Sequence, residues 1–331
     1  MTSLQEIAKA LVAPGKGILA ADESSGTIKK RFDSIKVEST EDNRRDYREM
    51  LFRTKGASDY VSGVILYEET LTQKAADGTP LVKVLESQGV IPGIKVDKGT
   101  KPLPFHEGEV VTEGLDGLRE RLAGYHKAGA RFTKWRGVYS ISETMPSAAS
   151  ITANAHALAR YAALAQEAGL VPIVEPEVLM DGDHGIDACE YVTEAVLRAV
   201  FSELAVAEVD LTGILLKPNM VISGEDAAEQ ASPQEVAERT VAVFRRVVPA
   251  AVPGIVFLSG GQSDELATQH LNLMNKLGPQ PWALSFSYGR ALQAAPLKAW
   301  SGKKDNVAAG QAAYLKRAKA NGLAALGKYA G

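Results

Sequence analysis

Short apolar runs and longer amphipathic stretches alternate along the chain, with one pair roughly every 30 to 45 residues. Each short run is rich in β-branched residues and ends in polar residues or glycine. Several runs are apolar on both faces, which is typical of parallel strands buried on both sides. The pattern predicts eight strands: Gly17–Asp22, Val61–Tyr67, Ile91–Asp97, Phe132–Tyr139, Val171–Val178, Gly213–Asn219, Gly254–Gly260 and Ala283–Gly289.

The longer stretches carry apolar residues at three- and four-residue spacing, which predicts helices between the strands. The clearest are Leu115–Gly129, Ser150–Gly169, Ala188–Glu208 and Ser232–Val248. Eight strand–helix units without a long linker favour one (β/α)8 barrel, an α/β fold, over the two domains that 331 residues would also allow. Residues 1–331 are therefore expected to form a single barrel domain, with an extra C-terminal helix over Ala308–Lys328 packed outside it.

Composition and charge exclude several classes of protein. With 45% hydrophobic and 23% charged residues, the chain is typical of a globular protein. The net charge of −3 argues against partners such as nucleic acid or an anionic membrane surface. A single cysteine rules out an internal disulfide, and the five histidines are scattered along the chain. We therefore expect no metal and no other cofactor.

The N-terminus does not have the pattern of a targeting segment. Ser3-Leu4-Gln5-Glu6 is a capping-box pattern, and Glu6 and Lys9 interrupt what would have to be an apolar signal core. The apolar run near Val247–Leu258 is too short to span a bilayer. These observations predict a cytoplasmic protein.

Ionisable and polar residues recur at one end of the predicted strands. Barrel enzymes build their active sites at the carboxyl ends of the strands, so these positions are the first candidates for chemistry. One buried charge is usually a structural ion pair, but charges of both signs at the same end of most strands favour a site. The candidates are Asp22, Lys98, Lys134, Arg136, Glu175, Glu177, Lys217, Ser259 and Arg290.

Two of these side chains are lysines that could act as nucleophiles. Lys134 and Arg136 lie two residues apart on one strand, and therefore share a face. Glu175 and Glu177 do the same on the next strand. A lysine desolvated beside another cation has a lowered pKa and becomes a usable amine, which leaves Lys217 and Lys134 both open. A nearby carboxylic acid could protonate the hydroxyl that leaves during Schiff-base formation.

Two glycine-containing loops follow the last two predicted strands, where barrel enzymes commonly bind phosphate. Ser259-Gly260 and Gly289-Arg290 offer backbone N–H groups and a guanidinium to an anion. Each stretch alone could be a simple turn. Together, at the ends of strands seven and eight, they predict a phosphate site.

A second polar cluster follows the first strand. Ser24 and Thr27 supply hydroxyls beside a predicted helix N-terminus. With Lys98 and Arg31 they could hold a second phosphate. Capping of the next helix is an alternative role for Ser24, and the two roles are compatible.

At these residues the sequence resembles the class I fructose-1,6-bisphosphate aldolases. The matching stretches run in order through nearly the whole chain, which makes the resemblance highly specific. They are GKGILAADESSGTIKKRF (Gly15–Phe32), GVILYEETL (Gly63–Leu71), PGIKVDKG (Pro92–Gly99), TKWR (Thr133–Arg136), VPIVEPEVLMDGDH (Val171–His184), LLKPNMV (Leu215–Val221), FLSGGQS (Phe257–Ser263), SFSYGRALQ (Ser285–Gln293) and LKAWSGKKDN (Leu297–Asn306).

The resemblance implies a lyase of glycolysis and gluconeogenesis that cleaves fructose 1,6-bisphosphate reversibly to dihydroxyacetone phosphate and glyceraldehyde 3-phosphate. Lys217 would form the Schiff base with the substrate ketone, and the iminium would accept the electrons of the broken bond. Glu175 would be the acid and base of the iminium steps, with Glu177 supporting it. Asp22 would deprotonate the C4 hydroxyl.

The remaining roles implied by the resemblance concern binding. Lys134 and Arg136 would balance charge and contact the substrate. The C1 phosphate would be bound by Ser259, Gly260, Gly289 and Arg290, and the C6 phosphate by Lys98, Ser24 and Thr27. The family also implies a homo-oligomer, a tetramer. No metal or cofactor is needed, because the iminium is the electron sink.

Two other functions compete with this one. Another Schiff-base barrel enzyme, such as a transaldolase, would also need the lysine, but two phosphate clusters favour a bisphosphate substrate. A phosphate-binding scaffold without catalysis would be expected to have lost Lys217, Asp22 or Glu175, and all three are present. Release of triose phosphate discriminates between these functions.

Many relatives continue beyond the matching GKY stretch into a tail that ends in tyrosine and helps to protonate the carbanion. The sequence printed here ends at Gly327-Lys328-Tyr329-Ala330-Gly331. Three proton donors are then conceivable: Tyr329, Glu175 or water. We expect protonation from within the barrel, with Tyr329 packing the last helix.

Overall fold

Eight parallel strands close into a barrel in the computed structural model, which describes residues 2–331. Each strand pairs with its neighbours in the sequence, and the first pairs with the last, so the sheet has no free edge. This confirms the predicted (β/α)8 fold. The strands are β1 (Gly17–Ala21), β2 (Val61–Leu66), β3 (Ile91–Lys95), β4 (Phe132–Tyr139), β5 (Val171–Val178), β6 (Leu215–Leu216), β7 (Gly254–Phe257) and β8 (Ala283–Tyr288).

Strands β4 and β5 have the predicted bounds, whereas the others end earlier than predicted. The largest difference is β6, of which only Leu215–Leu216 is regular strand. Residues Leu211–Gly213 form a 3-10 turn instead, and Pro218 has no N–H to continue the ladder. Strand β7 ends at Phe257, because Gly260 and Gly261 have φ of 45° and 81°, which is left-handed turn geometry.

Twelve α-helices accompany the barrel strands in residues 2–331. The extra C-terminal helix is present, and it ends earlier than predicted, at Ala324. The helices are α1 (Leu4–Leu11), α2 (Ser25–Ser34), α3 (Glu41–Phe52), α4 (Glu68–Thr72), α5 (Leu81–Glu86), α6 (Leu118–Lys127), α7 (Ala148–Glu167), α8 (Ile186–Val206), α9 (Pro233–Val247), α10 (Asp264–Lys276), α11 (Arg290–Trp300) and α12 (Val307–Ala324). None of the helices in this part of the chain is long and apolar enough to cross a bilayer.

A short antiparallel hairpin after β3 was not predicted. It pairs Thr100–Pro102 with Val110–Thr112. Three-residue strands are too short to give a periodic pattern, so the sequence carries no clear signal for them. Its second strand lies against β4, where Thr112 Oγ1 donates a hydrogen bond of 2.7 Å to the Arg136 carbonyl.

Helix α1 closes the N-terminal end of the barrel. Its buried face, with Ile7 and Leu11, packs under apolar side chains that fill the lower part of the barrel interior, among them Ile18, Phe132 and Leu215. Gln5 Nε2 donates a hydrogen bond of 2.6 Å to Asp210 Oδ2 just before β6. The barrel is therefore a packed core at this end, and the polar cavity lies at the other.

Candidate active site

A cavity of about 570 Å³ opens at the carboxyl end of the barrel strands. Residues from most of the strand ends reach it, which follows from the parallel arrangement of the strands. Twelve of the thirteen predicted site residues line it; Lys98 does not. The twelve are Asp22, Ser24, Thr27, Lys134, Arg136, Glu175, Glu177, Lys217, Ser259, Gly260, Gly289 and Arg290.

Strands β4 and β5 supply the centre of the cavity. They pair in parallel over their whole length, with Arg136 opposite Glu175. Because successive side chains of a strand alternate between its faces, Lys134 and Arg136 point to one side, as do Glu175 and Glu177. The Lys134–Arg136 pair and the Glu175–Glu177 pair therefore bring two cations and two carboxylates together in the barrel interior.

Glu175 links the two lysines. Its Oε1 lies 3.2 Å from Lys217 Nζ, and its Oε2 lies 3.1 Å from Lys134 Nζ. Lys134 Nζ also lies 2.8 Å from Asp22 Oδ2, on the far side of the barrel. Lys134, Glu175 and Lys217 are each only 4% exposed, so these charges interact with little screening by water.

The ionisation of this cluster is set by its own members. Burial opposes the ammonium form of Lys134, but the charges of Asp22 and Glu175 outweigh burial and raise its pKa above the usual value. Burial likewise favours neutral carboxyl groups, yet the lysine charges outweigh it and lower the pKa of Asp22 and of Glu175. The prediction of a lowered lysine pKa is therefore wrong for Lys134, because two carboxylates lie within hydrogen-bond distance of its Nζ. The raised pKa favours the ammonium form of Lys134 over the free amine.

Glu177 differs from its neighbour two residues earlier. Its carboxylate pairs with Arg136, but burial and the negative charge of Glu175 together raise its pKa above the usual value. The pKa values of the two glutamates on this strand are thus shifted in opposite directions, downward for Glu175 and upward for Glu177. A pair of carboxyl groups whose pKa values are separated by their surroundings is typical of acid–base sites.

Lys217 lies where β6 ends. Its backbone N–H donates to the Val174 carbonyl at 2.8 Å, which continues the pairing with β5 for one residue. Pro218 then interrupts the ladder, and the next residue, Asn219, restores the link to β5 through its side chain: Oδ1 accepts from Val178 N–H at 2.9 Å. Lys217 is therefore held between two points of attachment to the strand that carries Glu175.

The two predicted phosphate loops lie side by side at one end of the cavity. A Cβ built on Gly261 would lie 3.4 Å from Arg290 Nη2, so this guanidinium reaches the loop after β7. A Cβ built on Gly289 would lie 3.6 Å from Arg31 Nη2. Two arginines thus face two glycine-containing turns, an arrangement suited to a phosphate dianion.

Ser24 and Thr27 lie on another wall of the cavity, and both roles considered for Ser24 are compatible with its position. Ser24 is the N-cap of α2, where its Oγ accepts from Thr27 N–H at 3.4 Å. It also lines the cavity, as Thr27 does. The capping bond orients both hydroxyls, which lie 3.1 Å apart.

Lys98 is the one predicted site residue that the structure places elsewhere. Its side chain is 50% exposed and its Nζ lies 3.2 Å from Glu68 Oε2. The lysine that lines the cavity from this segment is Lys95, whose Nζ lies 3.1 Å from Asp97 Oδ1. Lys95 is the last residue of β3 and pairs in register with Lys134, whereas Lys98 lies beyond the end of the strand. The sequence does not distinguish the two lysines, because the predicted strand extends to Asp97.

Comparison with known proteins finds similarity to one protein family over almost the entire chain. The family model described as "Fructose-bisphosphate aldolase class-I" matches residues 3–331. The chain belongs to the class-I fructose-bisphosphate aldolase family. It is 60% identical over 331 residues to a "Probable fructose-bisphosphate aldolase class 1" of Xanthomonas campestris pv. campestris, covering 99% of this chain and 98% of that protein.

Aldolases of distant organisms are almost as similar. Fructose-bisphosphate aldolase 1 of Toxoplasma gondii is 58% identical over 330 residues, which cover 99% of this chain and 91% of that protein. A crystal structure of fructose-bisphosphate aldolase from Plasmodium falciparum, in complex with TRAP and a small-molecule inhibitor, superposes with a TM-score of 0.98 at 55% identity. The match covers 99% of this chain and 95% of that one.

Membership of the aldolase family establishes the reaction class. The chain is a carbon–carbon lyase of glycolysis that acts on a sugar bisphosphate, cleaving fructose 1,6-bisphosphate reversibly into two triose phosphates through a lysine Schiff base. In the part of the chain that the structure describes, no three His, Cys, Asp or Glu side chains are grouped so as to share a metal ion.

Tyr329, one of the conceivable proton donors in this aldolase, does not line the cavity. Its backbone N–H donates to Asn272 Oδ1 at 2.9 Å, and its carbonyl accepts from Asn272 Nδ2 at 3.2 Å. Both bonds fasten the chain after α12 to α10. The position of Tyr329 agrees with a packing role.

Proposed function

We propose that Lys217 is the lysine of this aldolase that forms the Schiff base. The observation that carries the proposal is the single carboxylate, Glu175, lying between the ammonium groups of Lys217 and Lys134. Lys134 remains charged and holds Glu175 in place, while Lys217 transfers its proton to Glu175 and attacks the C2 ketone as the free amine. The resulting carbinolamine lies beside an acid that can protonate its hydroxyl.

Glu175 protonates the departing hydroxyl, water leaves, and the C2–N bond becomes an iminium. Glu177, with its raised pKa, supports Glu175 as a nearby source of the proton. Asp22, held ionised by Lys134, takes the proton from the C4 hydroxyl. The C3–C4 bond then breaks, its electron pair moves into the iminium to give an enamine, and glyceraldehyde 3-phosphate leaves. An acid within the barrel protonates C3 and restores the iminium, and water then hydrolyses it to release dihydroxyacetone phosphate and free Lys217.

The two ends of the cavity bind the two phosphates in this proposal. Ser259, Gly260, Gly289 and Arg290 hold the C1 phosphate, and Ser24 and Thr27 hold the C6 phosphate, with Lys95 in the place predicted for Lys98. Arg136 contacts the sugar between them. No cofactor takes part.

Arg290→Ala tests the C1 phosphate site. A charge-assisted contact between guanidinium and phosphate is worth about 1.5–3 kcal/mol, so KM for the bisphosphate should rise by roughly 10- to 150-fold. Steady-state kinetics of triose phosphate release measure this. If KM is unchanged, the C1 phosphate binds elsewhere.

Lys95 and Lys98 form a matched pair for the C6 phosphate. Lys95→Ala removes an ammonium that lines the cavity, so KM for the bisphosphate should rise by about tenfold. Lys98→Ala removes an exposed ammonium of the same charge three residues away, and KM should change by less than about twofold. If Lys98→Ala raised KM more than Lys95→Ala, Lys98 rather than Lys95 would bind the C6 phosphate.

Borohydride trapping tests the proposal as a whole. Reduction in the presence of dihydroxyacetone phosphate should inactivate the enzyme irreversibly and add the mass of the reduced ligand to the peptide that contains Lys217. Label on a different lysine, or no label, excludes Lys217 as the Schiff-base residue.

We also propose that the protein works in the cytoplasm as a homotetramer. The location is supported by two similar aldolases of Arabidopsis thaliana that are described as cytosolic. The tetramer is what the family resemblance implies. Fractionation of cells and the molar mass in solution test the two parts separately.

A further inference from the structure

The loop after β7 has no regular structure of its own to hold it in shape. Residues Ser259–Gln262 form a tight turn in which Gln262 N–H donates to the Ser259 carbonyl at 3.0 Å. Gly260 and Gly261 at its centre both have positive φ. Glycine has the largest conformational freedom of any residue, so this turn loses much entropy when its N–H groups are fixed in one direction. Something outside the turn must stabilise it.

The side chain of Gln262, the last residue of the turn, makes two contacts beyond the turn. Gln262 is 8% exposed. Its Nε2 lies 3.6 Å from Met220 Sδ, in the segment that follows Lys217. Its Oε1 lies 2.6 Å from Nδ1 of His270, a residue of α10 that is 2% exposed. One amide therefore joins the loop after β7 to the loop after β6 and to a helix behind both.

His270 acts here as a hydrogen-bond donor. The amide Nε2 of Gln262 faces the weakly accepting thioether, so the acceptor Oε1 faces His270 and the proton lies on Nδ1. The other ring nitrogen, Nε2, is buried without a partner. The single hydrogen bond of the imidazole is thus made to Gln262, the last residue of the turn.

We propose that Gln262 and His270 are positioning residues that hold the Ser259–Gly261 turn in the conformation that receives the C1 phosphate. The inference rests on the function proposed above, which assigns that phosphate to this turn. Neither side chain needs to touch the substrate. Gln262 also fixes the distance between the anion-binding turn and the segment that carries Lys217, through Met220.

Kinetics in the direction of condensation test this role, because each triose phosphate carries only one of the two phosphates. Gln262→Ala and His270→Ala should raise KM for dihydroxyacetone phosphate by about tenfold, the cost of about one lost buried hydrogen bond. The same variants should leave KM for glyceraldehyde 3-phosphate within about twofold of the parent enzyme. Loss of fold alone would not separate the two substrates.

Two further variants sharpen the experiment. Asparagine presents an N–H close to the position of the histidine Nδ1–H, so His270→Asn should restore KM for dihydroxyacetone phosphate to within about threefold of the parent value. Asn272→Ala is the matched control: it removes two hydrogen bonds from a buried residue of the same helix, but these lead to Tyr329 rather than to the loop. It should lower Tm and leave both KM values unchanged.

The proposal is overturned if Gln262→Ala and His270→Ala lower Tm but leave KM for dihydroxyacetone phosphate unchanged. It is also overturned if KM rises equally for both triose phosphates, as a general loss of rigidity in the barrel would cause. A selective rise in KM for glyceraldehyde 3-phosphate would support the positioning role while overturning the assignment of this turn to the C1 phosphate. Failure of the parent enzyme to be labelled at Lys217 would overturn the proposed chemistry and leave the KM comparison intact.

Discussion

Replacing Lys217 with methionine is expected to abolish covalent capture of dihydroxyacetone phosphate and to lower kcat by about 10⁴-fold or more. Methionine keeps much of the length of the side chain but has no amine. Lys134 cannot take over, because Asp22 and Glu175 raise its pKa and keep it an ammonium. The measurements are triose phosphate release and intact mass after borohydride reduction.

The matched control for this variant is Lys98→Met. It makes the same change in an exposed lysine outside the cavity, and should leave kcat and labelling at the parent level. Circular dichroism of Lys217→Met checks that the fold survives the loss of one partner of the buried Glu175. A Lys217→Met enzyme that still acquires the label would identify another lysine as the nucleophile.

Asp22→Asn is expected to lower kcat for cleavage by about 10²- to 10⁴-fold, the usual contribution of a positioned general base. The amide has nearly the same shape as the carboxylate but cannot accept the C4 proton. In the proposed mechanism iminium formation depends on Lys217 and Glu175, so borohydride labelling with dihydroxyacetone phosphate should persist. Kinetics and labelling of the same preparation separate the two steps.

Asp183→Asn serves as the control for Asp22→Asn, since Asp183 is an exposed carboxylate of the loop after β5. Its kcat should stay within about twofold of the parent value. If Asp22→Asn retained full cleavage activity, another base would act on the C4 hydroxyl. If it lost labelling as well, Asp22 would be required for the iminium steps.

The fold and most of the site could be predicted from the sequence because they depend on local pattern. Strands β4 and β5 are long and apolar apart from their inward-facing charges, so both their bounds and the shared face of Glu175 and Glu177 follow from periodicity. The closed barrel then brings most of the strand ends to one cavity.

The choice between Lys95 and Lys98 could not be made in the same way. It depends on where β3 ends, and the chain turns into the short hairpin directly after that point. The direction in which the pKa of Lys134 is shifted could not be predicted from the sequence either. It depends on Asp22, which is separated from Lys134 by more than a hundred residues and reaches it only across the closed barrel.

The position of α1 has a consequence for how the protein is made. This helix is synthesised about two hundred residues before its partners, since its apolar face packs against Leu215 and its Gln5 bonds to Asp210. Its docking site is therefore incomplete until synthesis has passed Leu215. Until then Ile7 and Leu11 stay exposed, available to a chaperone or to a neighbouring nascent chain. A bulky tag fused directly before Ser3 would crowd the same docking step.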